Sequence, residues 1–222
     1  MAEDLPALAI EDLPQVIPLF PLDGALLLPH GSRPLNIFEP RYLNMLDDVM
    51  AAERIIGMVQ TVASGSPERP RLAHVGCAGR VTSFGESPDG RYLITLTGVC
   101  RFSLGAELSS PLPYRQARVD YTPYAPDLDP LPPDSDEDRQ GMLDTLTRYL
   151  DHQGLRIDWT ATGNVSIAAL VNSLAMALPF DHAELQALLE APDLLARRQT
   201  LITLLEIDGA DHGEEGGGPA RQ

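Results

Sequence analysis

Hydrophobic positions change rhythm near residue 122. Before it they come in short runs and alternations that build strands; after it they recur every third or fourth residue, as on helices. The first runs, 17–22 and 25–28, are flat, apolar and bounded by turn residues, and predict buried strands. Pro18 and Pro21 lack a donor, which puts the first run at a sheet edge or bulge. Residues 29–34 turn the chain and 35–38 predict a third strand. Pro40 then opens a helix where a missing N–H costs least. That helix, 41–54, carries Tyr42, Leu46, Val49 and Met50 on one face, with Asp47, Asp48 and Glu53 off it. Residues 55–60 read as strand, with Gly57 a point of close approach, and 63–71 as a polar loop. A further strand spans 75–84. Pro88-Asp89-Gly90-Arg91 supplies a tight reversal. Residues 92–97 then read as a strand packed on both faces, Gly98 as its break, and 100–104 and 115–121 as two more strands.

The stretch TPYAPDLDPLPPDSDED (122–138) holds five prolines, six acids and no base. It cannot bury enough apolar surface to fold alone and predicts a linker or exposed loop. Beyond it Ser135 and Asp138 read as a capping box. Met142, Leu143, Leu146, Tyr149 and Leu150 follow on one face, and Gly154 closes the helix. A second helix starts at Asn164 and ends at Pro179. A third is capped by Asp181 with Glu184, and a last one begins at Pro192. The predicted organisation is a flexible tail (1–14), a strand-rich domain (15–121), a linker (122–138), a helical subdomain (139–207) and a disordered tail (208–222).

Composition narrows the chemistry. With 222 residues and 44% hydrophobic positions the chain fits a soluble globular protein. No apolar run approaches the roughly 18 residues of a membrane span, and the acidic start lacks the basic residues of a secretory signal. A cytoplasmic location is expected. Net charge is −16 and uneven: residues 1–121 hold 14 acids and 10 arginines, residues 122–222 hold 18 acids and 6 arginines. This opposes general affinity for nucleic acid or an anionic membrane. Every basic residue is arginine. Without lysine there is no P-loop lysine, no Schiff-base lysine and no Ser–Lys dyad. Cys77 and Cys100 have no CxxC spacing and read as buried thiols. His30, His74, His152, His182 and His212 show no metal-ligand spacing, and no GxSxG elbow is present. No catalytic residue, metal or cofactor is expected.

Several strings in order carry a resemblance. Pro18-Leu19-Phe20-Pro21-Leu22, Leu28-Pro29, Pro34-Leu35 and Ile37-Phe38-Glu39-Pro40-Arg41-Tyr42 resemble the N-terminal, substrate-binding domain of the Lon protease family, in its stand-alone bacterial form. Val75-Gly76-Cys77, Asp89-Gly90-Arg91, Gly98-Val99-Cys100-Arg101-Phe102 and Pro113-Tyr114 continue it. The run LPFDHAELQALLEAPDLLARRQTLITLLE resembles the C-terminal helices of that family. The resemblance implies an α+β chain: a PUA-like β-barrel closed by the 41–54 helix, then a small C-terminal helical bundle.

It also implies a non-enzymatic module that binds a polypeptide or protein partner, as an adaptor or quality-control accessory. The candidate groove between barrel and helix comprises Phe20, Phe38, Glu39, Arg41, Tyr42, Arg91 and Arg101. Glu39 equally suits a helix start, where negative charge is favoured, and the apolar members equally suit a core. A small-molecule or modified-base pocket is the alternative, since PUA-like barrels elsewhere bind modified bases. RNA binding would rest on a local cluster of Arg69, Arg71, Arg80 and Arg91 against the acidic balance. A hydrolase would need a triad assembled only in space.

Overall fold

The computed structural model describes residues 8–66, 69–131, 136–152 and 165–214. In chain order it has β1 (Val16–Pro21), β2 (Ser32–Ile37), α1 (Pro40–Met50), β3 (Ile55–Val59), β4 (Thr61–Ser66), β5 (Arg69–Leu72), β6 (Val75–Glu86), β7 (Tyr92–Glu107) and β8 (Arg115–Asp120). A 3-10 segment, Thr122–Leu128, leads to α2 (Asp136–His152), α3 (Ile167–Ala177), α4 (His182–Glu190) and α5 (Leu194–Glu214).

Six strands form one mixed sheet in the order β2-β7-β6-β3-β1-β8, and β7 also pairs with β8. The circuit β7-β6-β3-β1-β8 therefore closes on itself, with β2 outside it on β7. β1 runs parallel to β3, with Leu19 opposite Gly57, while the other pairings are antiparallel. Length makes the closure feasible: β7 spans 16 residues, pairing with β2 early (Ile37 opposite Tyr92) and with β8 late (Ser103 opposite Asp120).

Alternation along β1 sorts side chains between two cores. Ile17 and Leu19 enter the barrel with Val59, Cys100, Phe102 and Tyr121. Phe20 faces outward into a second core with Tyr42, Met45 and Leu46 of α1, the 25–28 segment and the helical bundle. Phe102 fills the barrel centre. A Cβ on Gly76 would lie 2.5 Å from its ring, so packing explains that glycine.

Several elements differ from the sequence reading. Residues 25–28 belong to no strand, yet all four consecutive side chains are covered. Their carbonyls are met instead by Arg33 Nε, which donates to Leu26 O at 2.8 Å, and by Gly31 N, which donates to Leu28 O at 3.0 Å. Gly98 does not break the strand. It sits at a register shift within β7, where a Cβ would fall 2.0 Å from Leu28 O. The loop crosses there, and Gly98 N donates to Gly31 O at 2.8 Å. The expected polar loop at 63–71 contains the β4–β5 ladder, with Thr61 opposite Leu72. α1 ends at Met50, and Arg54 has φ 60 as the chain turns into β3.

The predicted linker is partly built into the body. Thr122–Leu128 forms 3-10 turns against the barrel, while residues 132–135 lie outside the described residues. Expected helix boundaries at Ser135, Gly154 and Asn164 also lie outside them. α3 is capped by Ser166, whose Oγ accepts from Ala169 N at 3.2 Å. The Asp181–Glu184 capping box is complete, with bonds of 2.8 and 2.7 Å. α5 extends to Glu214, past the expected tail start at 208. Of the N-terminal tail, Leu13 is buried and Ile10–Asp12 is a 3-10 turn; residues 1–7 lie outside the described residues.

The bundle is fastened to the barrel by polar side chains meeting backbone carbonyls, most of them at helix ends. Arg33 Nη2 donates to Met176 O near the end of α3, and Asn172 Nδ2 donates to Pro29 O at 2.9 Å. Arg101 is the centre. Its Nε and Nη2 donate to the two oxygens of Asp127 at 2.8 Å each, and its own backbone N–H reaches Asp127 Oδ2 at 3.0 Å. Nη1 donates to Leu189 O at 3.1 Å and to Ala191 O, and Nη2 donates to Pro192 O at 3.2 Å. All five guanidinium N–H groups are thereby used, and the plane lies 4.8 Å from the Tyr124 ring centroid. Burial works against the Arg101 charge, but the hydrogen bonds and charge of Asp127 more than offset it, so its pKa rises.

Arg101→Met leaves the Asp127 carboxylate buried without its counter-charge, holding only the backbone N–H of residue 101, and removes the guanidinium donors of three carbonyls. The expected loss is about 3–5 kcal/mol, and Asp127→Leu alone costs a similar amount. The double variant recovers most of it, because a matched apolar pair strands no charge; urea denaturation midpoints check this. A second expectation concerns alkali. Burial pushes the Cys100 thiol up to about 12 from an ordinary 9.0, with Asp127 adding to the shift, and raises Cys77 well above that value too. Between these values the unfolded chain has released a proton that the folded chain keeps. Stability therefore falls as pH rises above 9, by about 1.4 kcal/mol per pH unit per thiol. Cys100→Ala lowers that slope in denaturation measured from pH 8 to 11.

Candidate functional site

Outside the closed circuit, β2, the start of β7 and the end of β6 form a three-stranded sheet whose two faces differ. On one, Ile37, Ile94 and Leu96 pack with Phe20, Met45, Leu46 and Ile56 in a seam with α1 that leaves no room for water. Tyr92 anchors the edge of that side: its hydroxyl donates to Asp47 at 2.9 Å, a bond that raises its pKa. Tyr114 similarly donates to Asp48 at 2.7 Å, and burial with this bond lifts it to about 12. The two exposed α1 carboxylates thus each accept a tyrosine hydroxyl.

The other face is bare. Register places Asn36 opposite Leu93, Pro34 opposite Thr95 and Ser32 opposite Thr97, with Ser83 of β6 beyond Thr95 and Gly85 beyond Leu93. A hollow of about 390 Å³ lies here, lined by Pro34, Leu35, Asn36, Ser83, Leu93 and Thr95. Beside Gly85 the face is open: an added Cβ would meet only Leu93 O, at 3.9 Å. Leu93 is 51% exposed and Phe38, one residue past β2, is 63% exposed, both high for apolar side chains on a structured sheet. The hydroxyls of Ser32, Thr82 and Thr97 form a polar rim, with Thr82 and Thr97 2.9 Å apart. Arg91 lies 6.0 Å from the Phe38 ring centroid and pairs with Asp89 at 2.9 Å.

The structure divides the seven sequence candidates. Phe38 and Arg91 meet at one end of the bare face. Glu39 and Arg41 form a half-exposed ion pair of 2.7 Å beside α1, and the Arg41 guanidinium lies 4.5 Å from the Tyr42 ring centroid. Phe20 and Tyr42 are buried as an edge-to-face pair with centroids 4.6 Å apart. Arg101 is buried in the joint with Asp127. None of these three lies in a groove between barrel and helix: Phe20 and Tyr42 are buried among apolar side chains, and Arg101 has a full set of hydrogen bonds at the joint with the bundle. Leu93, Pro34, Asn36 and Ser83 were missed. Their signal was the Leu93-Thr95-Thr97 alternation, a strand face too polar to be core. The reading of residues 92–97 as packed on both faces is corrected accordingly.

Of the suggested arginine cluster, Arg69 pairs with Glu107 at 2.9 Å and Arg91 with Asp89. Among the described residues no group of His, Cys, Asp and Glu has a metal-holding arrangement, and no helix is long and apolar enough to cross a membrane.

Comparison with known proteins agrees with this architecture. Residues 16–206 match the family model of the ATP-dependent protease La (LON) substrate-binding domain. The chain is 26% identical to Lon protease 2 of Myxococcus xanthus, over 92% of this chain and 26% of that protein. It is 29% identical to a Lon protease of Anaeromyxobacter dehalogenans, over 50% of this chain and 13% of that one. It thus spans about a quarter or less of these relatives' lengths. Among solved structures, the Lon N-terminal domain protein from Xanthomonas campestris superposes with a TM-score of 0.60 at 23% identity, covering 85% of this chain and 97% of that one. The N-terminal domain of a Mycobacterium avium complex Lon protease gives 0.61 at 17% identity, covering 86% and 98%. The likeness in fold and the match over most of its length place the chain in the family of the ATP-dependent protease La (LON) substrate-binding domain.

Proposed function

We propose that the chain is a non-catalytic polypeptide-binding module and that an extended, apolar segment of its partner lies on the bare face of β2, β7 and β6. One observation carries this reading: Leu93 stands exposed at a 390 Å³ hollow, with Phe38 exposed one residue past β2, on a sheet whose opposite face packs on α1 through Ile37, Ile94 and Leu96. Apolar surface of this kind, rimmed by hydroxyls, suits side chains of a bound segment, while the rim supplies polar anchors. The family supports the class of ligand, since the substrates of a protease are polypeptides. β2 is the outer strand of its sheet, yet Pro34 removes a donor from its middle. The partner therefore engages the face more readily than it extends the sheet along that edge.

The net charge of −16 favours partners carrying basic residues beside their apolar ones. An adaptor or quality-control accessory in the cytoplasm is the cellular role that such a module fits. Fluorescence anisotropy with a labelled, unfolded, apolar peptide tests the surface. Leu93→Ser and Phe38→Ser are each expected to weaken binding by about 5–30-fold with an unchanged thermal midpoint. Ile207→Ser, exposed on α5, is expected to leave affinity intact. Equal affinities for the parent and the Leu93→Ser variant would refute this surface.

A further inference from the structure

A second cavity, of about 250 Å³, lies between β7, the Thr122–Leu128 segment and the bundle. Its walls include His30, Arg101, Asp127, Asn172, Leu194 and Arg197. The volume is below the roughly 300–1,000 Å³ of pockets for larger ligands, so its occupant is small.

Arg197 decides the chemistry. It is only 4% exposed. Its Nε donates to Leu188 O at 3.0 Å and its Nη1 to Asn172 Oδ1 at 3.3 Å, whereas Nη2 has no partner. No carboxylate among the described residues lies within ion-pair distance of it. Burial, then the neighbouring Arg101 charge, press its pKa down to about 10. A buried cation that feels Asp127 and Asp193 only at longer range, with no ion-pair contact, is costly and attracts an anion.

The acids nearby are otherwise engaged. Asp127 is bidentate on Arg101, Asp193 Oδ1 accepts from Ala196 N at 2.8 Å, and Asp129 stands exposed at the mouth. His30 Nε2 is 3.0 Å from Asp127 O, to which it donates. The first turn of α5 lines the same cavity and turns the positive end of a long helix toward it.

We propose that this cavity is a binding site for a small oxyanion, a carboxylate or phosphate group, held at Arg197. The site is separate from the bare sheet face and independent of what that face binds. NMR titrations of the full chain with inorganic phosphate and, separately, acetate, at constant ionic strength, test it. The expected result is a saturable shift of the Arg197 Nε–H and of the amides of Asp193, Leu194 and Leu195, absent in Arg197→Met. A response to phosphate alone or to acetate alone supports the site and identifies which oxyanion it takes. Asp129→Asn, a surface change that spares the fold, is expected to tighten binding about 2–5-fold by removing a like charge from the mouth. The proposal is overturned if neither anion gives a saturable shift, or if folded Arg197→Met keeps it. Should Arg197→Met not fold, an Asp129→Asn variant that binds no more tightly than the parent overturns it.

Discussion

The bidentate pair of Arg101 and Asp127 is the point at which barrel, connecting segment and bundle become one body. A buried ion pair by itself adds little stability, because desolvation consumes most of the attraction. What it gives here is placement. Arg101 has five donors in a rigid fork: two meet Asp127, fixing the Thr122–Leu128 segment on β7, and three meet carbonyls at and just beyond the end of α4. Lysine, with three donors on a flexible stem, cannot serve two carboxylate oxygens and three carbonyls together. The same device recurs on a smaller scale, where Arg33 serves Leu26 O and Met176 O at once. A chain whose cations are all arginine uses two of them as joints.

The legibility of the fold in the sequence follows from the range of the interactions involved. Local signals were readable: proline at the start of α1, the Asp181–Glu184 box, the turn at Gly90 and the strand runs. The resemblance supplied the order of barrel and bundle. Contacts between distant residues left no local trace. Residues 25–28 look like a strand because they are short and apolar, yet they are buried between barrel and bundle. Gly98 looks like a break, yet it admits a crossing backbone. Residues 122–128 look like a solvated linker because of their prolines and acids, but Asp127 finds its counter-charge in Arg101, 26 positions back.

The site was half legible for a related reason. Phe38 and Arg91 stand at turns, where exposure is common, and the structure brings them together. Phe20 and Tyr42 fit a groove by residue type, but nothing in composition separates a groove aromatic from a core one. Arg101 had no neighbour in sequence to announce a partner. Leu93 was hidden by its neighbours: Ile94 and Leu96 alternate into the seam with α1, so a reading of residue types counted the strand as packed on both sides.

Placement by the joint also bears on which surfaces stay open. Holding the bundle against the 25–28 segment and the outward faces of β3 and β6 covers apolar surface that a lone barrel would present. With α1 covering one side of the β2–β7–β6 sheet, the opposite side retains exposed Leu93 and Phe38 beside a hollow. The same docking brings Arg197 near Arg101 without a carboxylate of its own. One arginine is fully satisfied because the chain supplies Asp127; the other lines a cavity and keeps a buried donor without a partner. A fold that sets two guanidiniums side by side and pairs one with Asp127 leaves the other without an ion pair of its own.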